Sequence, residues 1–261
     1  MPISYTLRLQ TERPVQPETR HLHGLACVLF ESAGSDEHAA PDKPFTVWPL
    51  THMPGAGDTV WELRASWLPD HPPAAAPTVG AAVRLGAAGC EVTGVDCRAV
   101  RLAALAEGPP IGRAHLRFRS PTFFVRDGAD MITPDVRLIL GSYRRRWNAS
   151  LPGGHALRID DDTWRALARR AAFADFNLTT ARMDTGHGRE RTGFVGTAIL
   201  RLSRDATQEE RTAFSALVRF APYAGTGGQT THGFGATELV IGPAAASGER
   251  PRSVDRRVST P

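Results

Sequence analysis

The sequence contains few cysteines and no long apolar segment. Its three cysteines, Cys27, Cys90 and Cys97, provide neither a disulfide framework nor the paired spacing of a zinc site. No apolar run approaches the roughly 20 residues that a membrane span needs, and the N-terminus lacks a signal-peptide pattern. We therefore expect a cytoplasmic protein with reduced thiols and with no membrane anchor, bound metal or other cofactor.

Lysine is almost absent as well. The chain has 31 basic residues apart from histidine, and Lys43 is the only lysine among them. The charge is uneven: residues 1–110 contain 8 basic and 12 acidic side chains, a balance of −4, whereas residues 111–261 contain 23 and 15, a balance of +8. A basic half is typical of proteins that bind an anionic partner, most often RNA or DNA.

Glycine, in contrast, is concentrated in one segment. Residues 224–235 include five glycines, separated by small polar residues, one histidine and one aromatic residue. The segment follows a predicted helix and precedes an apolar run at 236–241 that is typical of a strand. A dinucleotide-binding loop has the opposite order, and a P-loop requires a lysine, so both motifs are excluded. What remains is either a flexible surface loop or a loop whose backbone N–H groups bind a phosphate chain.

Hydrophobic periodicity predicts two units of similar design. In the first unit it predicts strands at 3–9, 45–50, 59–68 and within 91–105, with helices at 17–30 and 78–85. In the second it predicts strands at 113–119, 176–183, 192–202 and 236–241, a hairpin at 123–126, and helices at 134–148 and 162–173. A last helix begins with the capping box of Thr207 and Glu210 and ends near Tyr223.

This repeated β-α-β-β-α-β order predicts an α+β fold of tandem ferredoxin-like (RRM-like) domains with a C-terminal glycine-rich loop. The sequence Glu107-Gly108-Pro109-Pro110 is typical of a linker. We therefore place an N-terminal domain at 1–108 and a C-terminal domain at 111–245. Residues 246–261, a basic segment without an apolar pattern, are expected to be a disordered tail.

Two groups of arginines in the second unit are candidates for contacts with RNA. Arg144, Arg145 and Arg146 are consecutive on a predicted helix, and Arg117 and Arg119 alternate with apolar residues on a predicted strand. The helical group could also be a solvated helix face. With the positive balance of this half, both groups favour contacts with an RNA backbone. The loop residues expected to bind RNA are Gly225, Thr226, Gly227, Gly228, Gln229, Thr230, Thr231, His232 and Gly233.

Three segments resemble the RAMP superfamily of CRISPR-associated proteins. Residues 225–235 are similar to the glycine-rich signature of that superfamily. The other two resemble its repeat-RNA endoribonuclease branch. One is Ser120-Pro121-Thr122-Phe123-Phe124 with the later Tyr143-Arg144-Arg145-Arg146-Trp147-Asn148, and the other is Gly24-Leu25 followed by His38 and Lys43-Pro44-Phe45-Thr46. The resemblance implies metal-independent cleavage of CRISPR repeat RNA (pre-crRNA) to crRNA by attack of a 2′-hydroxyl, leaving a 2′,3′-cyclic phosphate and a 5′-hydroxyl.

This chemistry needs groups that move two protons and a group that stabilises charge at phosphorus. The resemblance implies His38 and Lys43 as catalytic residues, whereas the tyrosine that some members carry in the first helix is not matched, since Cys27 or Phe30 occupies that region. His21 and His23 are alternatives for the proton transfers, because the unperturbed pKa of histidine is about 6.5. His232 could also donate to a phosphate.

Two other functions stay open from the sequence. The chain could be a catalytically inactive RAMP subunit that binds crRNA within a CRISPR effector complex, or a small-molecule enzyme on a ferredoxin-like scaffold. The absence of a dense cluster of glutamate, histidine and cysteine makes the last the weakest alternative. The expected partners are a repeat RNA hairpin or crRNA, with other effector subunits, and the expected state is a monomer or homodimer.

Overall fold

The computed structural model describes residues 1–31, 43–53, 55–186 and 189–240. In the first unit, β1 (Ile3–Thr11) alternates apolar residues toward the core with polar residues on the other face, as predicted. The helix α1 (Thr19–Phe30) packs its apolar stripe on this sheet. Its residues Leu22, Leu25, Ala26, Leu29 and Phe30 are all buried.

The remaining strands place β1 at the centre of the first sheet. They are β2 (Phe45–Val47), β3 (Thr51–His52), β4 (Val60–Trp67), β5 (Ala82–Leu85) and β6 (Ala88–Ala99). The strand order is β2-β4-β1-β6-β5, with β3 also paired to β4. Both neighbours of β1 run antiparallel to it, which is the ferredoxin-like arrangement.

The predicted helix at 78–85 is wrong. Residues Ala82–Leu85 form strand β5, which is paired with β6 through a tight hairpin. Val83 and Leu85 are buried while Ala82 and Arg84 are exposed, an alternation with the period of two that is typical of a strand. The segment is too short for its periodicity to separate the two structures. A helix, α2 (Leu102–Glu107), comes instead after β6.

The second unit repeats the arrangement with more elements. Its strands are β7 (Arg113–Thr122), β8 (Phe124–Arg126), β9 (Ala129–Met131), β10 (Ala171–Gly186), β11 (Arg189–Leu202) and β12 (Thr237–Val240). Its helices are α3 (Val136–Ala149), α4 (Asp161–Arg170) and α5 (Gln208–Ala224), with a 3₁₀ turn at Thr230–His232. The main sheet has the order β10-β11-β7-β12, and β8 pairs with β9 in the predicted hairpin.

Most predicted bounds in this unit agree with the structure to within a few residues, but one helix is shorter. Helix α4 ends at Arg170, so Phe173, expected in the helix, lies in β10. The pairing of β10 with β11 is responsible, because it extends from Ala171, opposite Leu202, to Gly186, opposite Arg189. Strand pairing over this length outweighs the local helical pattern.

Each unit has its own hydrophobic core, and the short α2 connects them. Leu102, Leu105 and Ala106 of α2 pack with the second core, although they precede the linker that the sequence indicated. The units also meet directly: Thr46 donates a hydrogen bond from Oγ1 to the carbonyl oxygen of Tyr223 at 2.6 Å. Among residues 1–31, 43–53, 55–186 and 189–240, no helix is long and apolar enough to span a membrane.

Candidate active site

The glycine-rich loop (residues 225–235) begins where α5 ends. Helix α5 has the predicted capping box: Thr207 Oγ1 accepts from the Glu210 N–H, and the Glu210 carboxylate accepts from the Thr207 N–H. After Ala224 the chain turns sharply and crosses the corner between β7 and β8 before it enters β12. The loop therefore lies at one end of the second sheet and faces the first unit.

Most of the loop is a buried structural element. The N–H groups of Gly225, Thr226, Gly227 and Gly228 donate to acceptors inside the protein, among them the Phe123 carbonyl oxygen. Gly225, Thr226, Gly227, Thr230 and Gly233 are buried, Gln229 is exposed, and Gly228, Thr231 and His232 are partly exposed. The expectation that the loop presents many N–H groups to a phosphate chain is wrong for residues 225–228, because the fold already uses them.

Helix α3 holds the loop in place. The buried Tyr143 hydroxyl is 2.6 Å from Thr226 Oγ1, which in turn is 2.7 Å from Thr237 Oγ1. Burial raises the pKa of Tyr143, so this hydroxyl stays protonated. Arg146 donates from Nη2 to the Gly227 carbonyl oxygen at 2.7 Å. Part of the segment that resembles the endoribonuclease branch therefore supports the loop through hydrogen bonds from α3.

The three consecutive arginines do not form one cationic surface. Arg144 pairs with Asp161 at 2.6 Å and donates to the Ile159 carbonyl oxygen, and Arg146 is bound to the loop. Arg145 alone of the three is exposed. Successive helical residues point about 100° apart, so three in a row cannot share one face.

The tip of the loop contacts α1. Gly233 lies against Leu22 and Pro49, and the imidazole of His232 stacks on that of His23 with ring centroids 4.2 Å apart and planes 5° apart. Burial, with the nearby His23 and Arg191, lowers the pKa of His232 to about 4. His232 is therefore neutral at physiological pH, and it can orient His23 or accept a hydrogen bond.

A polar row extends from His23 along one face of α1. His23 Nε2 is 3.7 Å from Cys27 Sγ, and Glu31 follows directly after the helix. Glu31 accepts from Lys43 Nζ at 2.8 Å, with both side chains almost fully buried. The spacing of four residues places His23, Cys27 and Glu31 one turn apart on the same side of the helix. The structure thus brings the predicted Lys43 and His23 into one connected group.

The other two predicted catalytic histidines are placed differently. His21 accepts a hydrogen bond at Nδ1 from the Glu18 N–H in the cap of α1, and its ring lies against Gly86. It is thus separated from His23 around the helix. His38 lies outside the described residues, in the segment that leads from α1 to Lys43.

The outer face of β7 carries the second group of predicted arginines. Arg117 and Arg119 lie 3.6 and 3.7 Å from Glu238 of β12, and about half of each arginine side chain is exposed. Together with Arg182, Pro49 and Thr197 they line a groove of about 560 Å³ on the side of the sheet away from the helices. These arginines are available to a ligand on that face.

Three features of the site were not predicted from the sequence. They are the stacking of His232 on His23, the buried Glu31, and Arg191, whose guanidinium lies 4.8 Å from the centre of the Phe123 ring and 3.1 Å from Asp130. Each joins residues far apart in the chain or across a helix end, and no local pattern indicates such pairs. Within the part of the chain that the structure describes, no three histidine, cysteine or acidic side chains group as metal ligands.

Comparison with known proteins agrees with this architecture. The model of the family described as CRISPR-associated endoribonuclease Cas6 matches residues 116–237. The sequence similarity to the Cas6 family model is thus in the second unit. No curated protein sequence gives a significant match. Among solved structures, a Cas6 product complex is 29% identical over 92% of this chain and 100% of its own, with a TM-score of 0.75.

Two further structures extend this Cas6 likeness. Thermus thermophilus Cas6 is 28% identical over 92% of this chain and 98% of its own, with a TM-score of 0.68. A Cas6-related protein from Pyrococcus furiosus is 10% identical over 92% of this chain and 99% of its own, with a TM-score of 0.51, and it shares the fold. The tandem ferredoxin-like fold predicted from the sequence is confirmed. The predicted resemblance to CRISPR repeat-RNA endoribonucleases is also confirmed.

Proposed function

We propose that this chain is an endoribonuclease that cuts CRISPR repeat RNA to produce crRNA. The observation that supports this most is the match, over 92% of the chain, to a Cas6 product complex that is 29% identical. The position of the histidine and lysine group agrees with it, since this group lies at the junction of α1, the start of the first sheet and the glycine-rich loop. The adjoining part of the loop is open to solvent, since Gln229 is exposed and Thr231 and His232 are partly exposed.

In the proposed mechanism the 2′-hydroxyl of the nucleotide before the cut attacks the adjacent phosphorus. One histidine takes the hydroxyl proton and a second group protonates the departing 5′-oxygen, so the products carry a 2′,3′-cyclic phosphate and a 5′-hydroxyl. His38 and His23 supply these transfers, and the Lys43 ammonium stabilises the negative charge on the phosphorane oxygens. His232, which is neutral near pH 7, supports His23 by stacking.

The proposal is tested with the purified chain and a repeat RNA hairpin in EDTA. We expect one cut, with the cyclic phosphate end identified by mass spectrometry. The matched control is the same RNA with a single 2′-deoxynucleotide before the cut, which should bind equally well and remain intact because it lacks the nucleophile. Cleavage of the deoxy substrate, or cleavage that disappears in EDTA, would contradict this mechanism. Tight binding without cleavage would support an inactive RNA-binding subunit instead.

Single substitutions test the assigned residues. His38→Ala should abolish cleavage with repeat binding nearly intact, and Lys43→Ala should slow cleavage. His71→Ala is the control, since His71 is exposed in the loop after β4. If His38→Ala cleaves at the parental rate, the assignment to His38 is wrong, and His23→Ala should be tested as the main proton-transfer variant.

A further inference from the structure

Glu31 is a buried acid in an unfavourable place. It follows α1 directly, and its own N–H donates to the Cys27 carbonyl oxygen at 2.9 Å. The C-terminal end of a helix carries a partial negative charge, so a carboxylate here is opposed by the helix dipole. Burial opposes it further, because a charged group loses its hydration. Neither the helix nor the apolar core explains an acid at this position.

The contacts of Glu31 explain it. Its Oε1 accepts from Lys43 Nζ at 2.8 Å, and the exposed fractions of the two side chains are 3% and 9%. Lys43 lies just before β2, so the ion pair joins the start of that strand to the end of α1. A lysine side chain has a flexible stem of four carbons. When a buried carboxylate binds its ammonium group, the side chain loses most of its conformational freedom.

Cys27 connects Glu31 to the histidine. Burial, and then the charge of Glu31, raises the pKa of the Cys27 thiol to about 11, so the thiol stays protonated. The negative charge of Glu31 acts on this thiol, and the sulfur lies 3.7 Å from His23 Nε2. The Glu31 carboxylate therefore acts on the Lys43 ammonium directly and on the His23 ring by way of Cys27.

We propose that Glu31 is a positioning residue, which holds the Lys43 ammonium directly and the His23 ring through Cys27 in the geometry needed for cleavage. The inference rests on the proposed function. Glu31 is too deeply buried to touch RNA, so its effect on the reaction passes through these two partners. A displacement of about 1 Å in such a group is enough to lower a rate by roughly 100-fold.

The test is a double-mutant cycle of Glu31→Gln and Lys43→Ala, measured as single-turnover cleavage rates with saturating enzyme. Glutamine keeps the size of the side chain and removes its charge. We expect Glu31→Gln to lower the rate by about 10- to 100-fold with RNA affinity changed less than about twofold. In the Lys43→Ala background the same substitution should lower the rate by no more than about threefold, because its main partner is gone.

The outcomes separate the two proposals. No cleavage by the parent protein would overturn the proposed function and this inference with it. Cleavage by the parent with the same fold-loss in both backgrounds, or no loss from Glu31→Gln, would overturn the inference alone. If Glu31→Gln fails to fold, Glu31→Asp takes its place: it keeps the charge but shortens the side chain, and we expect folded protein, unchanged RNA affinity and a reduced rate. A parental rate in that variant would also overturn the inference.

Discussion

The surroundings of the His232 imidazole disfavour its protonation. Burial is the main cause that lowers its pKa to about 4, from an ordinary value of 6.5. Between these values the unfolded chain binds a proton that the folded chain does not. Its contribution to the free energy of unfolding is therefore complete above pH 6.5 and is lost progressively as the pH falls toward 4.

We expect His232 to make the protein less stable in mild acid. Because His232 is partly exposed, solvent screening reduces the effect, and its contribution at pH 5 should be about 1 kcal/mol smaller than at pH 7. Urea unfolding at the two pH values measures this for the parent and for His232→Phe, which keeps a ring to stack on His23 but cannot be protonated. The variant should lose less stability between pH 7 and 5. Equal losses in both proteins would contradict the buried neutral state.

The three cysteines should differ sharply in reactivity. Burial raises the pKa of both Cys27 and Cys90 to about 11, while Cys97 is exposed. Because the thiolate is the reactive form, we expect a thiol reagent at pH 8 to modify Cys97 quickly and the other two only after unfolding. Counting labelled thiols by mass spectrometry checks this, with Cys97→Ser as the control that should give no rapid label. Rapid labelling of Cys27 would mean that the polar row on α1 is open to solvent.

The glycine-rich loop shows what an element's sequence can and cannot predict. The capping box of α5 and the following strand β12 were predicted because they depend on local patterns. The use of the Gly227 and Gly228 N–H groups could not be predicted, since their acceptors are Ser142 of α3 and Phe123 at the β7–β8 corner. For the same reason, the sequence could indicate Arg146 as cationic but could not show that its guanidinium binds the loop.

The loop's shape should depend on Gly227 in particular. Its φ of +78° is strained for other residues, and a Cβ there would overlap the Phe123 carbonyl oxygen. We expect Gly227→Ala to lower the free energy of unfolding by at least about 2 kcal/mol. Gly153→Ala is the matched control, because a Cβ at Gly153 meets nothing within 4 Å and φ is not positive. Thermal unfolding measures both variants, and equal melting temperatures would contradict the tight contact.

At the scale of the molecule, the sequence predicted the repeated topology better than the site. The two repeats of strands and amphipathic helices could be recognised from the sequence because each pattern extends over many residues. The site depends on how the two units meet, as in the stacking of His23 on His232 across more than 200 positions of sequence. Cys27 and Phe30, which occupy the region of the unmatched tyrosine, are both buried in the first core, and Cys27 also contacts His23.

We expect the open face of the second sheet, and not the helical layer of this unit, to bind RNA. Arg117 and Arg119 lie on the open face of the sheet, and their exposed pairing with Glu238 at 3.6 and 3.7 Å contributes little stability, so phosphates can replace it. Arg145 is equally exposed but lies on α3, in the helical layer. We expect the double substitution Arg117→Ala with Arg119→Ala to weaken repeat RNA binding by about 10-fold or more. It should also reduce the slope of log affinity against log salt by about 1 to 2.

Arg145→Ala serves as the matched control for this measurement. It removes one exposed positive charge from the same unit. If RNA affinity depended only on the net charge of the unit, both Arg145→Ala and the double substitution would weaken RNA binding. Fluorescence anisotropy with a labelled repeat hairpin at several salt concentrations distinguishes the two surfaces. A larger loss from Arg145→Ala than from the double substitution would place the RNA on the helical side. An unchanged salt slope in the sheet variant would show that Arg117 and Arg119 make no phosphate contact.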